Sequence, residues 1–432
     1  MSACLAVLLL SPLCAIALVL AALVVNRPFG EVTLQRITGA AMSLCVLASV
    51  GLLGLSVAAR GHPMSADFGD LIRVGDYAFR LLFVVDALAV GWIFFSALIL
   101  GVVARFSATY MYRESGAARF SVCFLIFAFG SFVLETSGNI DLLFVGWELV
   151  GLSSVLLVAF FWRRPMPVRR AMYVFIVYRI CDMGLLAGVV MLHHYAHASD
   201  WQHAFGPGEW PLWTAHLESS QASLLGGLFL IAAIGKSAMF PVTMWLPRAM
   251  EGPTPSSALF YGAISVHTGV FLLLRMAPLL DESLLVRMCV LAVGAITAIT
   301  ASLTVRTQAD AKNALAFATV GQVGIVFIEI ALQLYVVALV HMLANVTLRT
   351  FQFLRAGSGL TDHLARRATL GEDAGHASVP RSSYLYMLAF HGFFVEALLH
   401  RVFLRPVART ARLLITLEDE LERILFGERR PQ

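Results

Sequence analysis

The stretch IAAIGKSAMFPVTMWLPRAMEGPTP, Ile231 to Pro255, places Lys236 in the middle of an apolar run and Pro241 five residues later. A proline inside a helix removes a backbone hydrogen bond and clashes with the preceding turn, and three more prolines follow within this stretch. The pattern predicts a broken membrane helix. Such breaks are tolerated where the freed backbone groups line a cavity or are buried in protein, and transporters place ion sites at them. We therefore expect Lys236 to be a switchable proton carrier beside a helix break.

The rest of the chain is strongly apolar. Of its 432 residues, 59% are hydrophobic and 13% are charged, against about a quarter charged in globular proteins. Apolar runs long enough to cross a hydrocarbon layer of about 30 Å, which takes about 20 residues, recur along the sequence. The eleven predicted spans are Cys4 to Val25, Ile37 to Ala58, Leu81 to Val103, Phe120 to Leu134, Ile140 to Phe161, Ala171 to Leu192, Leu224 to Trp245, Ser256 to Met276, Leu284 to Leu303, Ala314 to Leu332 and Val336 to Leu354. The sequence thus predicts an all-α polytopic membrane protein with about eleven or twelve transmembrane helices.

The first apolar run and the cysteines carry little further information. No Lys or Arg precedes that run, and it is about twice as long as a usual signal-peptide core, so we expect a retained helix. The six cysteines occur singly, without CxxC spacing, which predicts no metal site. The net charge of +4 is small and the arginines flank membrane spans, so no nucleic-acid partner is expected. No glycine-rich phosphate loop follows a strand, and we expect no cofactor in this chain.

The arginines predict the orientation. The connection from Trp162 to Arg170 carries four of them, whereas the connection from His193 to Gln221 contains no Lys or Arg. Positively charged connections face the cytoplasm. We therefore expect a protein of the bacterial inner membrane with the first of these connections on its cytoplasmic side. Counting eleven spans then places the N-terminus outside and Arg355 inside.

Four ionisable residues in the fifth, sixth and seventh spans form the first candidate group. Arg179 and Asp182 are three residues apart on one helix and can pair on a shared face, either as a structural ion pair or as part of a functional site. Glu148 has no local partner, so Lys236 or Arg179 must compensate its charge across helices. Because an ionised residue at the bilayer centre costs at least about 2.5 kcal/mol to insert, we expect Glu148 and Lys236 to work together.

Polar residues in the later spans form the second candidate group: Tyr261, His267, Glu329, His341, Asn345 and Arg349. The last three recur every four residues and so lie on one helix face, as a hydrated path or as a hydrogen-bonded helix contact. Histidine titrates near physiological pH, although His267 could equally be a satisfied core residue. For Glu329, Arg349 is the expected partner.

Four histidines cluster after the sixth span, in HHYAHASDWQH: His193, His194, His197 and His203. Histidines four residues apart can bind zinc on a helix, but no Cys or Glu completes a ligand set. We interpret this segment as a solvated outer loop and expect no metal there.

These motifs resemble the antiporter-like membrane subunits of respiratory complex I and of multisubunit cation/proton antiporters, especially the complex I subunit L (chain 5) type. The similar segments cover about residues 85–359: GWELVGLSS (Gly146 to Ser154), YRICDMG (Tyr178 to Gly184), IGKSAMFPVTMWLPRAMEGPTPSSAL (Ile234 to Leu259) and DAKNALAFATVGQVG (Asp310 to Gly324). The resemblance implies two inverted five-helix repeats, each with a broken helix, and a chain of protonatable residues at mid-membrane.

The resemblance also implies residue roles. Glu148 and Lys236 correspond to the family's glutamate and lysine pair, and Arg179 with Asp182 to its accessory ion pair. The residue His341 corresponds to the first histidine of the central connection. Tyr261 stands where the family has histidine, Asn345 where it has a second histidine, and Arg349 where it has lysine. Arginine stays charged in proteins, so the second half of the proton path departs from the family pattern.

A larger departure follows Leu354, where the polar stretch Gly357 to Ser383 replaces the remaining helices of the family's second repeat. In this the chain resembles the DabB-type subunit of inorganic carbon uptake complexes, whose partner is a large cytoplasmic subunit similar to zinc carbonic anhydrases (DabA-type). The expected function is therefore an ion-conducting subunit, for H⁺ or alternatively Na⁺, that couples the gradient to CO₂ or bicarbonate uptake and has no catalytic site of its own. The alternatives are a proton-pumping subunit of complex I or of a membrane hydrogenase, and a non-conducting membrane anchor.

The C-terminal segment is expected at the cytoplasmic interface. Residues 383–403 carry charged residues and histidines that a membrane span tolerates poorly, and ARTARLLITLEDELERILFG places one apolar stripe along a helix: Leu413, Leu414, Leu417, Leu421 and Ile424. Such an amphipathic helix rests on lipid or docks a protein. The predicted organisation is N-terminal helices (1–80), an antiporter-like core (81–356), a cytoplasmic polar loop (357–382) and a docking platform (383–432).

Overall fold

The structure is a computed structural model that describes residues 1–356, 384–399, 401 and 405–426, apart from 76, 197, 198, 207, 214 and 216. It consists of two compact units, residues 1–378 and 379–432. The predicted polar loop, 357–382, lies outside the described residues.

The described residues of the first unit form helices almost throughout, with one two-stranded hairpin. Its elements are α1 Ser2–Val24, α2 Glu31–Ala58, β1 Met64–Val74, β2 Tyr77–Val85, α3 Ala87–Tyr110, α4 Ala117–Thr136, α5 Ile140–Val158, α6 Pro165–Ala196, α7 Trp201–Phe205, α8 Ser219–Lys236, α9 Trp245–Arg248, α10 Thr254–Ser257, a π-helical turn Ala258–Ala263, α11 Ile264–Arg275, α12 Ala277–Glu282, α13 Leu284–Val305, α14 Ala311–Ala331 and α15 Tyr335–Arg355. The prediction of an all-α polytopic membrane protein is confirmed.

Ten of the described helices are long and apolar enough to cross a membrane, against eleven predicted spans. The difference is the predicted span from Leu224 to Trp245. Its helix α8 stops at Lys236, where Ser237 ends the helix and Ala238 has a positive φ of 54°. The chain then turns through Pro241 before the short helix α9 begins at Trp245. The predicted helix break is therefore present, and Lys236 is the last residue before it.

The hairpin was not predicted from the sequence. Strands β1 and β2 pair antiparallel, from Met64 opposite Val85 to Val74 opposite Tyr77, and the end of β2 overlaps the start of the predicted third span. That span begins later, at Ala87, because Asp86 accepts a hydrogen bond from the Ala89 amide and caps α3. An aspartate at this position satisfies one of the free amides at a helix start. The membrane face that carries the hairpin and the loop between α6 and α8 is called here the hairpin side.

Close helix packing positions the site. Helices α4 and α5 meet at Gly146, where an added Cβ would lie 2.5 Å from the Leu134 amide nitrogen. Similarly, α6 and α8 meet at Gly235, where an added Cβ would lie 2.2 Å from the Cβ of Cys181. Small residues at membrane-helix contacts allow backbones to approach. Gly235 therefore brings α6 and α8 together, and Gly151 brings α5 against Lys236, because an added Cβ there would lie 2.8 Å from the Lys236 Nζ.

The second unit contains the short helices Tyr384–Phe390 and Val395–Leu399, a 3₁₀ turn Gly392–Phe394, and the long helix Arg405–Phe426. The last one confirms the predicted C-terminal helix. Its side chains Leu413, Leu414, Leu417 and Leu421 are all exposed, and the side chain of Ile424 lies outside the described part. Among the residues described after Arg355, no helix qualifies as a membrane span.

Candidate functional site

Lys236 is completely buried at the end of α8. Its Nζ donates a hydrogen bond to the Trp147 backbone carbonyl over 3.1 Å and lies 4.8 Å from the Trp147 ring centroid and 4.5 Å from that of Tyr178. Among the described residues, no carboxylate oxygen lies within the 4.0 Å ion-pair distance of this nitrogen. Aromatic faces attract cations, so the site holds the ammonium group without neutralising it by direct contact.

The carboxylates of the first candidate group are bound by Arg179. One guanidinium nitrogen of Arg179 lies 2.5 Å from the Glu148 carboxylate and 2.9 Å from that of Asp182. The other Asp182 oxygen accepts a 2.6 Å hydrogen bond from the Trp147 indole. The structure therefore brings all four predicted residues together, and it selects Arg179 rather than Lys236 as the direct partner of Glu148. Trp147 connects the two parts, because its carbonyl binds Lys236 and its indole binds Asp182.

A tyrosine links this group to the next helix. The Tyr178 ring contacts Lys236, and its hydroxyl lies 3.5 Å from that of Ser265 on α11. His267 follows two residues later and is fully buried. Its Nε2 lies 3.0 Å from the amide nitrogen of Asn345 on α15. Two of the later candidate residues, His267 and Asn345, are thus in contact, and Ser265 lies on the same helix as His267.

His341, Asn345 and Arg349 lie on one helix, α15, as predicted, but they belong to two separate groups of contacts. Arg349 donates to the Asn345 side-chain oxygen over 3.3 Å, to Gln352 over 2.8 Å and to the Ala318 carbonyl over 3.3 Å. Its charge is therefore solvated by neutral oxygens. His341, two turns away, has different partners and belongs to another cluster.

Glu329 pairs with His341 and not with Arg349, so the predicted partnership was wrong. His341 Nδ1 lies 2.8 Å from the Glu329 carboxylate, and its Nε2 lies 2.9 Å from the Gln322 side-chain oxygen. Helices α14 and α15 are joined by a turn of three residues. They therefore run antiparallel, which brings the end of α14 level with the start of α15 and keeps Arg349 near the opposite end.

The remaining candidate, Tyr261, lies in the π-helical turn Ala258–Ala263, and its side chain is outside the part that the structure describes. Single π turns inside helices are frequent at functional sites. The turn contacts α15, and an added Cβ on its Gly262 would lie 3.0 Å from the Thr350 amide.

Sequence reasoning missed several buried groups, among them Arg275 and Glu135. Arg275, with no exposed surface, forms an ion pair with Asp86, and its guanidinium carbon lies 5.6 Å from the Trp213 ring centroid. Glu135 is also fully buried and accepts a hydrogen bond from Ser96 over 2.7 Å. Arg275 ends an apolar run in the sequence, and Lys236 interrupts one. The signal that identified Lys236, a charged residue in an apolar run, would therefore also have identified Arg275.

The histidine cluster is only partly a solvated loop. His193 lies within α6, where it contacts Asp141, and His203 bonds to Asp200 at the start of α7. His197 lies outside the described residues. Among the residues that the structure describes, no group of three or more His, Cys, Asp or Glu side chains could hold a metal ion.

The fold and the buried polar groups define a class: polytopic membrane proteins with ionisable residues at a broken helix. The transmembrane family described as NADH:quinone oxidoreductase/Mrp antiporter matches residues 137–370, more than half of the chain. The chain belongs to this family.

Individual relatives agree with this assignment. NADH-ubiquinone oxidoreductase chain 5 of Cryptococcus neoformans var. grubii is 33% identical over 74% of this chain and 46% of its own length. NADH-quinone oxidoreductase subunit L of Rhodobacter capsulatus is 37% identical over 57% of this chain and 35% of its own. The chain thus spans less than half the length of these relatives. The Mrp complex structure from Dietzia sp. DQ12-45-1b superposes with a TM-score of 0.70 over 84% of this chain and 37% of that one, at 22% identity, and shows a shared fold.

Proposed function

We propose that the chain is a proton-conducting membrane subunit that couples an ion gradient to a protein partner. The observation that carries this proposal is the environment of Lys236, which is buried at a helix break without a carboxylate in direct contact. Burial disfavours the charged ammonium, while the carboxylates of Glu148 and Asp182 nearby favour it. Opposed influences of this kind allow a proton to be bound and released. Na⁺ remains the alternative ion.

The conduction path proposed around Lys236 runs from Glu148 through Lys236 to the Tyr178 and Ser265 hydroxyls and on to His267. Each of these groups can donate or accept a proton or a hydrogen bond. Arg349, in contrast, stays charged, so in this proposal it sets the local potential and carries no proton. His341 with Glu329 forms a separate titratable cluster.

A partner in the membrane is supported by the exposure of the central charges. The side chains of Arg179 and Glu148 are 40% and 25% exposed, although both lie well inside helices long enough to span a bilayer. Charged groups at this depth face protein or a water-filled cavity and not lipid. We therefore propose that another subunit or a hydrated interface covers the face formed by α5 and α6.

For the coupled process we propose inorganic carbon uptake with a cytoplasmic DabA-type partner. Its support is the resemblance to the DabB type and the helix Arg405–Phe426, whose exposed leucines offer a docking surface. Proton pumping within a complex I-type assembly is the second candidate, favoured by the subunit L and chain 5 relatives. Purification from native membranes separates them, because a large zinc-containing protein accompanies the chain in the first case and redox subunits in the second.

Conduction itself is tested with purified protein in liposomes that contain a pH-sensitive dye. An imposed pH difference should drive proton flux through the wild type, and Lys236→Ala should reduce it to the level of protein-free liposomes. The matched control is Lys312→Ala, at the only other lysine in the sequence, whose Nζ donates to Thr254 over 2.9 Å. Wild-type flux no higher than that of protein-free liposomes would favour a non-conducting anchor, and wild-type flux that persists in Lys236→Ala would remove Lys236 from the path.

A further inference from the structure

A second acid and base pair lies at the hairpin side of the same two helices that carry Glu148 and Asp182. His193, in the last turn of α6, has its Nε2 2.9 Å from the carboxylate of Asp141 in the first turn of α5. The Asp141 side chain is 5% exposed and that of His193 is 26% exposed. Water therefore reaches the His193 side chain, whereas the Asp141 carboxylate is shielded from it.

The helical register aligns this pair with the charged site. Asp141 precedes Glu148 by seven residues on α5, which is two turns, and His193 follows Asp182 by eleven residues on α6, which is three turns. Residues at these spacings share a helix face. At 1.5 Å per residue, Asp141 lies about 10 Å along α5 from Glu148.

We propose that Asp141 and His193 form the proton-collecting site at the hairpin-side mouth of the path to Glu148. His193 binds a proton from water, the Asp141 carboxylate stabilises the resulting imidazolium, and the proton leaves through water to the Glu148 carboxylate. Only N–H and O–H bonds change, so the step needs no oxidant or further reactant. This inference rests on the proposed function.

The surroundings of the pair suit collection of protons from water. The Tyr77 ring on β2 packs edge-on against His193, with ring centroids 5.4 Å apart. Burial, and next the negative charge of Asp141, raise the pKa of Tyr77, so the phenol keeps its proton. The Tyr77 phenol also interacts with the Asp141 carboxylate, whose second oxygen is buried and makes no hydrogen bond of normal length among the described residues.

The segment between the pair and Glu148 is apolar. Phe144 lies on α5 about one turn from each carboxylate. The buried residues of α6 between Asp182 and His193 are all apolar: Gly184, Leu185, Gly188, Val189 and Leu192. A proton cannot cross this distance without water. The segment therefore acts as a barrier that conducts only while water enters it, and this keeps the central site from equilibrating freely with the hairpin side.

The test uses the full chain in liposomes, with flux measured at a fixed pH difference while the pH on the hairpin side varies. Wild-type flux should rise as that pH falls through the range where histidine titrates, between about pH 8 and 5. His193→Gln and Asp141→Asn keep the hydrogen-bonding geometry but should lose this rise and conduct severalfold more slowly. The control is His194→Gln, the same substitution at the exposed neighbouring histidine, which should behave as wild type.

The outcomes separate this inference from the proposed function. Wild-type protein without flux would overturn both. Wild-type flux with unchanged rate and pH profile in His193→Gln and Asp141→Asn would overturn the inference alone. A slower rate with the wild-type pH profile and a lower thermal midpoint would assign the pair a structural role and overturn it as well.

Discussion

Lys236 and Arg275 are both fully buried cations at the C-terminal ends of helices α8 and α11, and their charges are held in opposite ways. Arg275 forms an ion pair with Asp86, and the rings of Trp213 and Phe271 lie within 5.6 Å of its guanidinium carbon. Lys236 has a backbone carbonyl and two aromatic faces. Its nearest acidic groups, Glu148 and Asp182, are already bound to Arg179.

The difference separates a charge that fixes structure from a charge that can change. An ion pair with an arginine is permanent, because the guanidinium does not deprotonate in proteins. The ammonium of Lys236 can lose its proton, and no carboxylate in direct contact is left unpaired when it does. Two equally buried cations thus have different roles, and the groups in contact with each cation determine whether its charge is permanent or can change.

The largest expected effect comes from making the lysine site resemble the arginine site. Lys236→Arg keeps a buried cation but cannot release a proton, so proton flux in liposomes should fall to the level without protein. A thermal midpoint close to that of the wild type would show that the fold persists. Substantial flux through Lys236→Arg would contradict a carrier role, since an arginine there could act only through its charge.

The converse change removes the counter-charge from the structural cation. Asp86→Asn keeps an N-cap side chain on α3 but leaves Arg275 unpaired, and breaking a buried ion pair costs about 3–5 kcal/mol. We expect a loss of this order in the free energy of unfolding in detergent, with flux per folded molecule retained. Asp310→Asn is the matched control, because Asp310 caps α14 in the same way without an ion pair. An equal loss in both variants would show that capping and not charge is responsible.

A smaller effect is expected at Arg349, which is bound by neutral oxygens. If it acts as a fixed charge, Arg349→Lys should conduct at nearly the wild-type rate and Arg349→Gln should change the rate severalfold, because a nearby positive charge disfavours protonation of its neighbours. Arg355→Gln, at the end of the same helix, provides the control. Unchanged flux in both Arg349 variants would remove any role for charge at this position.

The two halves of the polar path differed in how well the sequence predicted them. Around Lys236 the predicted residues all meet, because an isolated charge in an apolar span must find the few other charges at its depth. For Glu329 the predicted partner was wrong, since several polar residues on α15 were available and only the antiparallel packing of α14 and α15 selects His341. Asp141 was missed because an aspartate in the first turn of a helix looks like an ordinary surface residue until His193 from another helix covers it.

The sequence by itself determined the class of protein, the helix break after Lys236 and the amphipathic C-terminal helix, because hydrophobic runs, prolines and apolar periodicity are local properties. It also determined the family through motifs that lie in continuous segments. The tertiary structure decided which charges pair between helices: Arg179 with Glu148, Arg275 with Asp86, and His193 with Asp141. These pairings depend on the distances between helices that are far apart in the chain. The packing of the helices sets those distances, and the local sequence does not encode them.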